Sequence, residues 1–301
     1  MSSFFFSKSQ RTILLSIIVT SWIVSGCQSA QNSQLTPAGR IPSTSPAPTQ
    51  TVESTTRPTG SVLPLPASTP SPTLEVVTGI CSPLADIDLS DLHSITSQVF
   101  KSPTAFQDDG HPAVDLAFFT FEDFPTMIGH PVQAILPGTI VEVLDNRFPF
   151  GNGILIETQL DQVGESMLSS LLLPTPIPDE NITLFDPCTH NPAYEGLEAV
   201  EMSAGSRSLY TLYAHLLTPP DFEEGDRVSC GQTIGAVGNT GNSVAEHLHL
   251  EVRIGPSHAN FGSLAMFQPD ATAQERYNYC IWSISGRFQA IDPAIFWQGQ
   301  R

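Results

Sequence analysis

The sequence predicts a mainly β domain of antiparallel strands at the end of a chain whose first quarter is built differently. Three observations lead there. From residue 74 onward the apolar residues come in short runs, Val132 to Ile135, Thr139 to Leu144, Ile154 to Thr158 and Leu209 to Leu216, punctuated by Gly, Pro and Asn in the manner of strands and turns. No helical heptad, nucleotide-binding glycine loop or internal repeat competes with that reading. The 301 residues are only 14% charged, against about 25% for an average globular chain, and this figure averages over unlike stretches.

The first stretch is residues 1–27. An apolar segment from Thr12 to Val24 follows Lys8 and Arg11 and leads directly into Ser25-Gly26-Cys27. It is too short to cross a bilayer comfortably, and a basic start, a short apolar centre and small residues at the end make a secretory signal. Val24-Ser25-Gly26-Cys27 resembles the lipobox of bacterial lipoproteins, which implies that Cys27 is acylated and that the mature chain is lipid-anchored. Residues 28–73 hold 9 Pro, 17 Ser or Thr and three charges, a composition that cannot bury a core. They read as a disordered linker, with an upper reach of roughly 140 Å at about 3.1 Å per residue in polyproline II.

Residues 74–301 are long enough for one domain with a sizeable core. Setting aside Lys8 and Arg11, the chain carries 10 basic against 30 acidic residues, a net charge of −20. So negative a body is a poor partner for nucleic acid or for an anionic membrane surface. Contact with a membrane is therefore expected only through the anchor. Once Cys27 is assigned to lipid, Cys81, Cys188, Cys230 and Cys280 remain, an even number that suggests two disulfides in an exported domain. No two are spaced as CxxC, so a zinc ribbon is excluded.

Three histidine-bearing segments carry the chemistry. In His247 to Arg253, strand alternation puts His247, His249, Glu251 and Arg253 on one face and Leu248, Leu250 and Val252 on the core side. The same count places His111 and Asp115 on one face with small Ala113 between them. In Tyr210 to Leu216 it groups His215 with Thr211 and Tyr213, leaving Leu212, Ala214 and Leu216 to the core. A lone strand histidine is more often structural than functional, but three placements together weaken that view. The helical HExxH motif is absent, so a metal site has to be assembled from separate strands. Two imidazoles and one carboxylate are a catalytic zinc set that leaves a fourth position for water.

In order along the chain, these motifs resemble the LytM and lysostaphin type zinc metallopeptidases that cut peptides of bacterial peptidoglycan. His111 to Asp115 is similar to the first zinc motif, Gly129 to Ala134 with Gly138-Thr139-Ile140 to the strand pair after it, and Tyr213-Ala214-His215-Leu216 to the central motif. Gly231 to Gly241 leading to His247-Leu248-His249-Leu250-Glu251 is the most specific stretch, and Ile291-Asp292-Pro293 is similar to the closing segment. The resemblance implies the duplicated hybrid motif fold, a Zn2+ cofactor held by His111, Asp115 and His249, and His215 and His247 as catalytic residues outside the ligand set. Ala113 stands where the family usually has Gly, and Ala245-Glu246 where small or Pro residues are usual. His130 reads as a loop histidine, and His93, His190 and His258 have no motif around them.

Two insertions fall outside the resemblance, near 160–207 and near 257–289, and are expected to wall the substrate cleft. Three cysteine connectivities are open; pairing Cys81 with Cys280 would fasten the ends of the domain, leaving Cys188 with Cys230. The function expected is an exported zinc metalloendopeptidase of the cell envelope, hydrolysing peptide bonds in peptidoglycan stems or cross-bridges. A non-catalytic wall-binding or amidase-activating module on the same fold is the alternative, and a structural lipoprotein with a fortuitous histidine cluster the third.

Overall fold

The computed structural model describes residues 76–118 and 126–298. The signal segment, Cys27 and the linker lie outside the described residues. Among the described residues ten strands follow in chain order. The first five are β1 (Thr96–Gln98), β2 (Ala113–Leu116), β3 (Pro131–Gln133), β4 (Gly138–Arg147) and β5 (Gly151–Gln159). The rest are β6 (Glu201–Leu216), β7 (Arg227–Val228), β8 (Thr233–Ala236), β9 (Leu248–Asn260) and β10 (Gln289–Ile291). Seven of them form a sheet in the order β1-β2-β9-β6-β5-β4-β7, and β10 joins β9 beyond the end of β2. β3 and β8 form a separate two-stranded sheet, and every pairing in both sheets is antiparallel. The mainly antiparallel β class read from the short apolar runs is the class observed.

Alternation divides the large sheet between two cores. Leu248, Leu250, Val252 and Ile254 of β9 pack with Leu209 and Tyr213 of β6 and with Val132 and Ile234 of the small sheet. Leu212 and Ala214 face the other way, with Tyr210, into a second core of Phe261, Trp282 and Phe288. Buried on both faces along most of its length, β5 carries Ile154, Leu155 and Ile156 in succession rather than in alternation with polar residues.

The second insert, with Cys188 and Val200 of the first, supplies most of that second core, whereas Val163 and Leu171 of the first insert join the first core. The first insert holds α1 (Glu165–Ser170) and α2 (Asp179–Phe185); the second holds α3 (Ala273–Ser283), which carries Trp282 and Cys280 inward. α3 starts on a capping box in which Thr272 Oγ1 accepts from the Glu275 N–H while the Glu275 carboxylate accepts from the Thr272 N–H. Arg147 at the end of β4 pairs with Glu275 at 3.1 Å and ties the helix to the sheet. Strand structure reaches into both inserts, where Glu201 of β6 faces Asn260 of β9.

The disulfides correct the expected pairing: Cys81 is bonded to Cys230 and Cys188 to Cys280. Each bridge closes within one region. The Cys81 N–H donates to Ile135 O and the Gly231 N–H to Ala134 O, so both cysteines lie along the segment after β3. Cys188 and Cys280 are both buried in the second core and join one insert to the other. The ends of the domain are held by strand pairing, β1 to β2 and β10 to β9, and need no bridge.

Candidate metal centre

β2, β6 and β9 bring the histidines together. Register sets Asp115 opposite His249 across β2 and β9, and Ala214 opposite His249 across β6 and β9. Ala113 lies opposite Glu251, so a small residue leaves room for a long one. The side chains of His111, Asp115 and His249 share one face as alternation predicts, and His247 joins them from the loop that bridges to Gly238.

His215 arrives by a different route. Alternation grouped it with Tyr213, but Tyr213 is buried in the first core and its hydroxyl accepts from the Ile135 N–H. His215 has φ +62°, a left-handed conformation uncommon for a residue with a side chain. That one residue reverses the alternation, sending Leu216 into the first core and the His215 ring to the face of His247 and His249, with centroids 4.8 and 5.4 Å away. Backbone bonds hold the turn: the His215 N–H donates to Phe150 O at 2.9 Å, and the Gly238 N–H donates to His215 O at 3.0 Å.

Asp115 is the hub. Its Oδ1 lies 3.3 Å from His111 Nε2, 3.6 Å from His247 Nε2 and 3.0 Å from His249 Nδ1. Burial alone would raise its pKa, but hydrogen bonds from His111 and His249 outweigh it and hold the carboxyl well below the usual range. Burial works against charge on His249 too, yet Asp115 and Glu251 pull its pKa up to about 9. His215 is pushed down to about 3 by burial and by the neighbouring His249 and His247, so its ring stays neutral. Glu251 keeps a lowered pKa despite complete burial because Arg253 and His249 lie against it.

Two overlapping groups have ligand atoms within 4.8 Å of one another: His111, Asp115 and His249, and His215, His247 and His249. Both are zinc-type donor sets. The first contains the carboxylate of Asp115 and so supplies charge compensation for a dication, whereas the second offers imidazoles alone. The fit rests on that chemistry and on the field around Asp115, which without a cation draws a proton onto His249.

The centre opens into a cleft of about 700 Å³, walled by Phe148, Pro149 and Phe150, the Asn242 to Ala245 loop and residues 108–112. Phe267, Tyr279 and Ser283 of the second insert complete it. The first insert contributes none of the cleft's described lining residues, so only one of the two expected walls is present. Asp108, half-buried, accepts from the Tyr279 hydroxyl at 3.1 Å, and burial raises its pKa. Sequence reasoning missed this pair because no spacing links residue 108 to residue 279. Glu251 stood on the predicted histidine face without a role.

His130 lies apart from the centre, with Nε2 against Ala85 O at 2.7 Å and its ring edge on Phe118. His93, His190 and His258 are bonded elsewhere, to Ser90 O, Asp186 O and the Gln159 and Ser203 side chains. Glu246 accepts from Thr126 Oγ1 at 2.9 Å.

Comparison with solved structures finds loose likenesses. The catalytic domain of lysostaphin from Staphylococcus simulans aligns at 20% identity over 70% of this chain and 98% of its own, with a TM-score of 0.34. The catalytic domain of the prophage-encoded M23 protein EnpA from Enterococcus faecalis aligns at 16% identity over 54% and 81%, with a TM-score of 0.30. A zinc-containing peptidase from Vibrio cholerae aligns at 20% identity over 52% of this chain, with a TM-score of 0.29, and this chain covers 32% of its length. Residues 191–261 match the family model described as Peptidase family M23, a span that includes His215, His247 and His249 and ends before the second insert's helix. Over that span the chain is similar to Peptidase family M23.

Proposed function

We propose that this protein is an exported, zinc-dependent endopeptidase that hydrolyses peptide bonds in peptidoglycan stems or cross-bridges. The observation that carries the reading is the convergence of His111 Nε2, His249 Nδ1 and Asp115 Oδ1 at the foot of an open cleft. Those three side chains would hold the ion. Zinc bound there would lower the pKa of a coordinated water toward about 7 and polarise a substrate carbonyl. His215 and His247 would serve the reaction from outside the ligand set. The Nδ1 of His215 lies 2.7 Å from Thr240 O and that of His247 lies 2.8 Å from Ala245 O. With Nδ1–H donating there, each Nε2 is free to accept a proton or to donate one to a developing oxyanion. The Phe148 to Phe150 wall and Phe267 limit water and orient an extended peptide.

Peptidoglycan as substrate is supported by the likeness of residues 191–261 to Peptidase family M23, and two disulfides in the domain favour an extracytoplasmic place. No helix among the described residues is long and apolar enough to cross a membrane. Lipid attachment at Cys27 therefore belongs to the reading from sequence, as does the absence of a nucleic-acid partner.

The test is incubation of the purified protein with muropeptides, with and without a chelator, beside two variants. His249→Ala should lose stoichiometric zinc and cleavage together. His247→Ala should keep zinc and lose cleavage by about 10²-fold or more. Reversed metal contents would overturn the division between ligand and catalytic histidine. Wall binding without cleavage by the zinc-loaded parent would favour the amidase-activating alternative.

A further inference from the structure

An imidazole that gives its proton to a fixed acceptor through one nitrogen presents a lone pair on the other. Three of the four site histidines are set the same way by backbone carbonyls. Nδ1 of His111 faces Val99 O at 3.2 Å, that of His215 faces Thr240 O, and that of His247 faces Ala245 O. His249 is the reverse case. Its Nδ1 is the atom turned toward Asp115, and its Nε2 is buried and without a hydrogen bond. No carbonyl meets it. The acceptor that faces it is Glu251 Oε2, 3.5 Å away.

Behind Glu251 stands a file of buried groups. The other carboxylate oxygen, Oε1, accepts from Arg253 Nε. Arg253 Nη1 donates to Phe288 O at 2.9 Å, and its guanidinium lies 5.1 Å from the centre of the Trp282 ring. Glu251 is 1% exposed, Arg253 3% and Trp282 0%. A buried ion pair of this kind is rarely more stable than apolar residues of the same volume. Apolar residues, however, cannot accept a proton from Nε2.

We propose that Glu251 is the positioning residue of the metal centre: it accepts the Nε2–H of His249 and so leaves Nδ1, the atom on the Asp115 side, unprotonated to serve as a ligand. Arg253 turns the carboxylate, and Trp282 and Phe288 hold Arg253. The second insert thus supports the centre from behind as well as walling the cleft in front. This inference rests on the zinc reading, and its effect is measured as metal affinity. Removing the hydrogen-bond partner of a metal-binding histidine typically changes that affinity about 10- to 100-fold.

Two double variants of the whole chain, each without a lone buried charge, separate positioning from packing. Zinc affinity is measured by competition with a chromophoric chelator. Glu251→Leu with Arg253→Met removes the acceptor and should weaken zinc binding about 10- to 100-fold. Glu251→Gln with Arg253→Met restores an acceptor oxygen and should recover most of that loss. Equal affinities in the two double variants, whether both normal or both weakened, would overturn the proposal. Should the leucine variant not fold, the ¹⁵N imidazole spectrum of the zinc-loaded parent decides. A proton on His249 Nε2 supports the proposal and a proton on Nδ1 overturns it. A parent that bound no zinc would sink the zinc reading itself, whereas a parent that binds while the variants match sinks only the role of Glu251.

Discussion

Glu142 carries a carboxyl into β4 where one of its oxygens, Oε2, finds no hydrogen-bond partner. Burial pushes its pKa up to about 8, and the nearby charges of Glu224 and Glu275 push the same way. In the unfolded chain the group titrates near its ordinary 4.5. Between these values the folded state holds a proton that the unfolded state has released, so stability falls as pH rises. The contribution is fully present below about 4.5 and lost as pH rises through about 8. Glu142→Gln should therefore leave stability near pH 5 almost unchanged and raise it at pH 8.5 and above by a few kcal/mol. Urea unfolding at the two pH values checks this; parallel pH dependence in parent and variant would refute it. His215 shows another residue-scale cost, a left-handed backbone held by Phe150 O and the Gly238 N–H.

At the scale of elements, the start of β5 and the loop after β8 depend on each other. Gly151 has φ +70°, and a Cβ there would overlap the backbone and hydroxyl of Thr240. Thr240 O faces His215 Nδ1, while its hydroxyl accepts from the Asn152 N–H and donates to Leu216 O. Gly151→Ala should cost about 1–3 kcal/mol of stability and reduce cleavage while leaving zinc content intact, because none of the three ligands hangs from that loop. Loss of zinc in step with activity would show the loop to be coupled to the ligands instead. The same elements show what could be read from sequence. β2 and β9 are regular, so a period of two placed His111, Asp115, His249 and Glu251 correctly. It failed at the end of β6, where a left-handed histidine leaves no compositional mark. It also left Glu251 and Arg253 on a face without a role, because polar letters do not announce that a second core will cover them.

The described residues form a sheet between two cores, the second made largely by segments that a family resemblance treats as additions. Cysteine pairing was beyond sequence for this reason: it follows which core each cysteine enters, a fact of tertiary packing. Replacing both Cys188 and Cys280 by Ala should lower unfolding stability by about 4–5 kcal/mol, the loop-entropy figure for a separation of this order. Urea titration measures it, and a loss under about 1 kcal/mol would mean that the second core holds the inserts unaided. β6 and β9 belong to both cores at once, with Tyr213 and Leu250 facing one and Leu212 facing the other. Neither core can melt while its partner keeps that strand pair in place. A protease meeting this domain therefore finds few half-opened forms to cut, and resistance to digestion becomes a property of the whole fold, set by global unfolding rather than by the fraying of any single loop.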